Sequence, residues 1–189
     1  EVANMAEYPY VYKGYFPDRY LELPEEVLRY VIQDTQKYFM LYKDKKIINS
    51  FIGTSNVKIN KNIVAGNERV INPRLDDARF FISKDLNNNI FEKKDLLKKV
   101  IFHKKLGSMF DKVQRISELS EHINNKSYRD KKLKHKEIAE VCKLDLISHM
   151  VVEIPSLQGY IGCYYAHKKG MHEDVANGIK EHYAPRNPE

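Results

Sequence analysis

Only two cysteines, Cys142 and Cys163, occur in 189 residues, and no secretory signal precedes them, which excludes a disulfide-stapled domain. No run of about 18 apolar residues exists, so no segment reads as a membrane-spanning helix. The phosphate loop G-x-x-x-x-G-K, the nucleophile elbow G-x-S-x-G and a cysteine pair at zinc spacing are all missing. No catalytic residue and no metal site is therefore assigned from the residues alone. Glu1 opens the chain without an initiator Met or targeting pattern, and both ends read as cut. A reducing compartment fits: a cytosol, or an organelle matrix.

What the chain does have is positive charge. Lys and Arg number 32 against 26 Asp and Glu, a net +6 with a pI near 9.1. Clustered cations favour polyanionic partners, because they displace counterions from phosphates. A solvated lysine surface explains the same excess. The length allows one domain or two small ones.

The first part reads as mixed α and β. YPYVYKGYF, from Tyr8 to Phe16, is a strand, with Pro9 at its start and Gly14 at a bend or bulge. Pro24, Glu25 and Glu26 open a helix with the apolar stripe Val27, Leu28, Val31 and Ile32. Tyr38 to Tyr42 and Ile47 to Thr54 form a hairpin around Lys43 to Lys46. Tyr12, Tyr15, Tyr38, Phe39 and Tyr42 suggest a base-stacking platform, yet they read first as cross-strand core and rim residues. The polar stretch Gly53 to Lys61 is the boundary between a mixed part, 1–62, and a helical part, 63–189.

Beyond it the pattern turns helical. In GNERVINPRLDDARFF, residues 66–81, Val70, Ile71, Leu75, Ala78 and Phe81 recur at helical steps; Asn72-Pro73 is a helix-start signal, and the favoured alternative has Pro73 kinking a helix begun near Ile63. Asp85 with Asn87 to Asn89 reads as the solvated turn that ends it. From Phe91 a second helix is expected to carry Leu97, Val100, Ile101, Leu106, Phe110, Val113, Ile116, Leu119 and Ile123. If it continues through Gly107, Lys98, Lys105 and Lys112 share one side with Arg115 nearby, a stripe suited to phosphates or simply a solvated face. Arg69, Arg74 and Arg79 compete for the same role, with Asp76 and Asp77 between them as ion-pair partners.

A third helix is expected from Asp130 to Glu153, burying Ile138, Val141, Cys142, Met150 and Val152. Asp145 and His149, four apart, fall on that side, so His149 is the candidate partner for a buried acid. A short helix with Leu157, Ile161, Tyr164 and Tyr165 inward follows, stopped by Gly170, and a last one runs from Glu173 through Ile179. His167, His172 and His182 read as surface or helix-end histidines.

Several blocks in this order carry a resemblance: EYPYVYKGYF, LELPEEVL, KYFMLY, GNERVINPRLDDARFF, VIFHKKLGSMFDKVQRI, LDLISHMVVEIPSLQGYIGCYYA and IKEHYAP. Together they resemble an internal stretch of the beta subunit of bacterial-type glycyl-tRNA synthetase. The resemblance implies an α+β chain, a small sheet-and-helix part followed by a helical domain similar to the HD superfamily of metal phosphohydrolases. The metal-binding His-Asp dyad of that superfamily falls here on Leu144 and Asp145, which implies a degenerate site, with His103, His122 and His135 as the remaining upstream donors. It implies tRNA(Gly) as a partner, and an alpha subunit that carries the aminoacylation site and uses ATP and Mg. The implied assembly is two alpha and two beta chains, while the fragment alone is expected to be a monomer with no cofactor of its own. A metal-dependent nucleotide phosphohydrolase and a scaffold touching only the alpha subunit are the alternatives.

Overall fold

Alternation in YVYKGY makes Tyr10–Tyr15 the first strand, β1, with Tyr12 buried and Val11, Lys13 and Tyr15 facing out. The computed structural model describes residues 6–128 and 134–185. After β1 comes the helix α1 (Glu25–Arg29), which widens into a π turn over Tyr30–Thr35 and buries Val27, Leu28, Val31 and Ile32 as the apolar stripe foretold. Strands β2 (Phe39–Lys43) and β3 (Lys46–Ser55) form the expected hairpin. Asp44 and Lys45 both take positive φ at its turn, which matches the right-handed twist of the strands. The sheet is antiparallel in the order β1-β3-β2.

Cross-strand glycines shape its inner face. Gly14 pairs with Phe51 and Gly53 with Tyr12, and in each pair the ring lies over the glycine where a Cβ would stand. Tyr38 stacks on Phe51 at 4.7 Å between centroids, and Tyr12 meets Phe51 edge-on at 6.4 Å. Tyr12 and Tyr38 are thus packing residues, whereas Tyr15, Phe39 and Tyr42 lie on the exposed side. Gly53→Val is expected to lower stability by about 2 kcal/mol, despite valine's preference for strands, because the branched side chain displaces Tyr12. Denaturant unfolding checks this, and a more stable variant contradicts it.

Asn60 caps the long helix α2 (Lys61–Asn88), its Oδ1 accepting the Ile63 N–H at 3.0 Å, and Pro73 lies inside the helix. Ile71, Leu75 and Ala78 are buried, while Val70 is exposed, one step off the stripe. The chain divides into two compact units between Phe81 and Ile82, within α2; the parts 1–62 and 63–189 read from sequence meet near its first residues.

The second expected helix is the main departure. Residues Lys94–Lys99 form a 3-10 turn, β4 (Ile101–His103) and β5 (Gly107–Ser108) a short hairpin, and only then does α3 (Met109–Ile123) begin. Gly107 sits at φ +85, which ends any helix there. Ser108 and Asp111 then close a capping box that starts α3: Ser108 Oγ accepts the Asp111 N–H, and the Asp111 carboxylate accepts the Ser108 N–H at 2.7 Å. Lys98, Lys105 and Lys112 therefore lie on three different elements and not on one helix side.

The third expected helix is also broken. Asp130 lies outside the described residues; within them α4 (His135–Val141) gives way to a 3-10 turn at Leu144–Ile147, and α5 (His149–Glu153) starts afresh after extended Ser148. Val152 is exposed, not buried. Gly159, at φ +81, leads into α6 (Tyr160–Lys168), and α7 (Glu173–Glu181) follows. Gly162 lets α6 approach Ile179 and Asp145 with no room for a Cβ. Cys142, Cys163, Ala166, Val175, Ala176 and Ile179 form one core cluster of the second unit, and Leu97, Val113 and Leu144 another. The architecture is α+β, a small antiparallel sheet followed by helices. Among the described residues no helix is long and apolar enough to cross a membrane.

Candidate functional site

Asp85, expected in a solvated turn, is 2% exposed and is the most heavily bonded acid of the second unit. It continues the stripe Ile71, Leu75, Ala78 and Ile82 at steps of three and four, so helical period itself carries it inward. Its Oδ1 accepts the backbone N–H of His149 and lies against His149 Nδ1, both at 2.8 Å. Its Oδ2 accepts the Met150 N–H at 3.1 Å and the Tyr165 hydroxyl at 2.8 Å. Ser148 Oγ takes the Val151 N–H at 3.1 Å, so three of the orphan donors opening α5 are satisfied from two directions. Burial, reinforced by the Asp85 charge, drives the Tyr165 hydroxyl pKa well above its usual value.

The expected pairing of Asp145 with His149 does not occur. The extended backbone at Ser148 breaks the helical register between them, and His149 turns to Asp85, 64 residues upstream. Asp145, 1% exposed, accepts the Gly159 N–H through Oδ2 at 2.5 Å, while its Oδ1 has no partner among the described residues. Burial pushes its carboxyl up to about 6. Beside it Lys143 is buried with its ammonium 3.6 Å from the Tyr183 ring centroid, and burial pushes that amine down to about 8.

Leu144 packs with Leu97 and Val113 in the core and offers no donor atom. A metal ion does not fit this position: Leu144 brings no ligand, His149 Nδ1 is committed to Asp85 and Gly159 holds one Asp145 oxygen, so of these atoms only Asp145 Oδ1 is left, short of a metal's ligand set. His103 and His122 are exposed, and His135 opens α4. Among the described residues no group of three or more His, Cys, Asp or Glu converges on one point. His172 caps α7, its Nδ1 accepting the Asp174 N–H, and His182 closes the same helix, as helix-end histidines do.

The candidate cations fall into two sets. Lys98 pairs with Asp95 at 2.6 Å and lies over the Phe110 ring, Lys112 lies 3.9 Å from the Phe102 centroid, and Arg115 donates to the Leu106 carbonyl at 3.2 Å. These three hold the chain as well as carrying charge. Lys105, in the β4–β5 turn, is exposed with no side-chain partner among the described residues. Arg69, Arg74 and Arg79 are exposed on α2, and Asp76 pairs at 3.7 Å with Arg19 and with none of them. Steps of five residues turn a helix by about 140° each, so these three fan out and form no row. Sequence reasoning missed Lys99 and Lys104, exposed on either side of β4. Lysine density around the H-K-K turn was the available signal.

Fold and site together define an α+β chain whose buried carboxylates hold backbone N–H groups while cations gather around a surface hairpin. All residues, 1–189, match the family described as glycyl-tRNA synthetase beta subunit, and the chain belongs to that family. It is 40% identical over 195 residues to the glycine–tRNA ligase beta subunit of Thermotoga neapolitana, covering 100% of this chain and 28% of that protein. With the subunit of the same name from Aquifex aeolicus it shares 40% over 189 residues, again 100% and 28%. With that of Thermodesulfovibrio yellowstonii it shares 41% over 189 residues, 98% and 28%. The chain thus spans a little over a quarter of the length of these curated relatives.

Proposed function

We propose that this chain is a tRNA-holding region of a glycine–tRNA ligase beta subunit. It grips tRNA(Gly) through shape and phosphate contacts around the acceptor arm, so that the terminal adenosine reaches an active site on a separate alpha subunit. ATP and Mg act there, in an assembly of two alpha and two beta chains. Its contribution to rate is orientation, which lowers the entropic part of the barrier without bond chemistry of its own.

The observation that carries this reading is where the charge lies. Residues 98–115 hold six Lys or Arg against the single acid Asp111, a net +5, where the whole chain carries +6. That acid is committed to the Ser108 capping box. The acids of the second unit that resemble catalytic candidates are buried in structural bonds, and Leu144 fills the core where a metal-binding histidine would stand. This supports an HD-like helical body whose metal site has been replaced by packing.

Binding of tRNA(Gly) to this chain tests the proposal. With about four phosphate contacts, affinity is expected to fall on the order of 100-fold between 50 and 200 mM salt. A flat salt dependence, or no binding, contradicts it and favours a scaffold that touches protein alone.

A further inference from the structure

The β4–β5 hairpin is braced at its base. The Met109 N–H donates to the Val100 carbonyl at 2.7 Å, the Leu106 N–H to the His103 carbonyl at 3.0 Å, and Arg115 reaches the Leu106 carbonyl from α3. Lys112, also on α3, covers the Phe102 ring, and the Ser108–Asp111 box fixes the join. A three-residue strand paired with a two-residue one gains little from its own ladder, so these contacts set its position.

On this rigid support stand large aliphatic side chains in water: Ile101 is 79% exposed and Leu106 54%. On the same stretch of chain Lys99, Lys104 and Lys105 are exposed with no side-chain partner among the described residues. Apolar side chains held out on a braced element whose sequence also carries exposed cations mark a surface shaped for contact.

The chemistry of the partner follows from what the hairpin has and lacks. Lys99, Lys104 and Lys105 stand without an acid to offset them, the acid Asp111 being committed to Ser108, and such unbalanced positive charge suits a polyanion. Single-stranded nucleic acid is held by stacking on open aromatic faces, and here the Phe102 face is taken by Lys112. An RNA double helix has a wide, shallow minor groove that displays ribose and base edges and is recognised by shape, between two rows of phosphates, which accept lysine.

We propose that the β4–β5 hairpin seats in the shallow groove of an RNA double helix, with Ile101 and Leu106 against ribose and Lys99, Lys104 and Lys105 on the flanking phosphates. This rests on the reading that the chain holds tRNA, and names the element that touches it and the part of the RNA that is touched.

The test uses the full-length protein that contains this chain, with fluorescence anisotropy on three probes: tRNA(Gly), a short RNA duplex of acceptor-arm sequence, and a DNA duplex of the same sequence. The wild type is expected to prefer the RNA duplex by about tenfold. The pair Ile101→Ser and Leu106→Ser weakens both RNA probes by roughly tenfold and leaves the salt slope unchanged. The pair Lys104→Ala and Lys105→Ala lowers the salt slope by about two. All these side chains are exposed, so thermal midpoints stay within about 2 °C of wild type. Equal affinity for RNA and DNA duplexes overturns the groove assignment. Variants that bind tRNA like the wild type, with the same slope, overturn the hairpin's role while tRNA holding stands on other cations. Variants that keep RNA binding and lose the alpha subunit make the hairpin a protein-docking element, which also overturns the proposal. A wild type that binds no tRNA overturns both readings.

Discussion

Asp85→Ala lowers the unfolding free energy of the second unit by on the order of 4 kcal/mol, and its thermal midpoint by roughly 15 °C or more. The substitution strands the N–H groups of His149 and Met150 and the Tyr165 hydroxyl, all of which end on this one carboxylate. A buried donor left without an acceptor costs about 1–3 kcal/mol, and Met150 and Tyr165 are both essentially out of water. The His149 ring adds less, because its side chain is 42% exposed and water can replace the lost partner. Asp85→Asn keeps one acceptor oxygen and is expected to fall between wild type and alanine. Denaturant and thermal unfolding followed by circular dichroism check the series. A loss below about 1 kcal/mol for Asp85→Ala shows that the carboxylate is not the hub described.

The opposite sign is expected at Asp145. Its folded pKa is raised, from the usual 3.8 to about 6, because burial penalises the charged form more than the Gly159 N–H and Lys143 relieve it. A raised acid binds its proton more tightly when folded, so its favourable contribution is complete below about pH 4 and is lost as pH rises through about 6. Above that, the ionised group costs stability on the order of 3 kcal/mol relative to its protonated form. Asp145→Asn removes the charge and keeps an oxygen for Gly159, while its amide replaces the unpartnered Oδ1. The variant is expected to match wild type near pH 4 and to be more stable by about 2 kcal/mol at pH 8. Unfolding free energies across that range give the answer. A variant less stable at pH 8 contradicts a purely structural Asp145.

How much of this could be read from residues varies with the kind of signal. Alternation and turn chemistry located the three strands of the N-terminal sheet, and the stripe Ile71, Leu75, Ala78 located α2. The same period misled from Leu97 to Ile123, where apolar residues at helical steps serve a 3-10 turn, a hairpin and a helix in succession. Period reports which side chains are apolar, not whether the backbone between them is continuous. The punctuation was present in Gly107-Ser108-x-x-Asp111, a helix start in the middle of an apparent helix. Asp85 was hidden by its Asn-rich neighbours, although extending the α2 stripe through Ile82 places it inside. The four-residue spacing of Asp145 and His149 meant nothing once Ser148 became extended. Among the cations, sequence could count charges but not foresee that Lys98, Lys112 and Arg115 are drawn into contacts with Asp95, Phe102 and Leu106.

The architectural role of the buried acids and the RNA-holding role proposed for the surface cations meet in a single titration. It measures tRNA(Gly) affinity against salt for wild type and Asp145→Asn side by side. The account predicts two superimposed lines with the same steep negative slope. A flat line, or a folded Asp145→Asn protein that loses more than about tenfold in affinity, contradicts it.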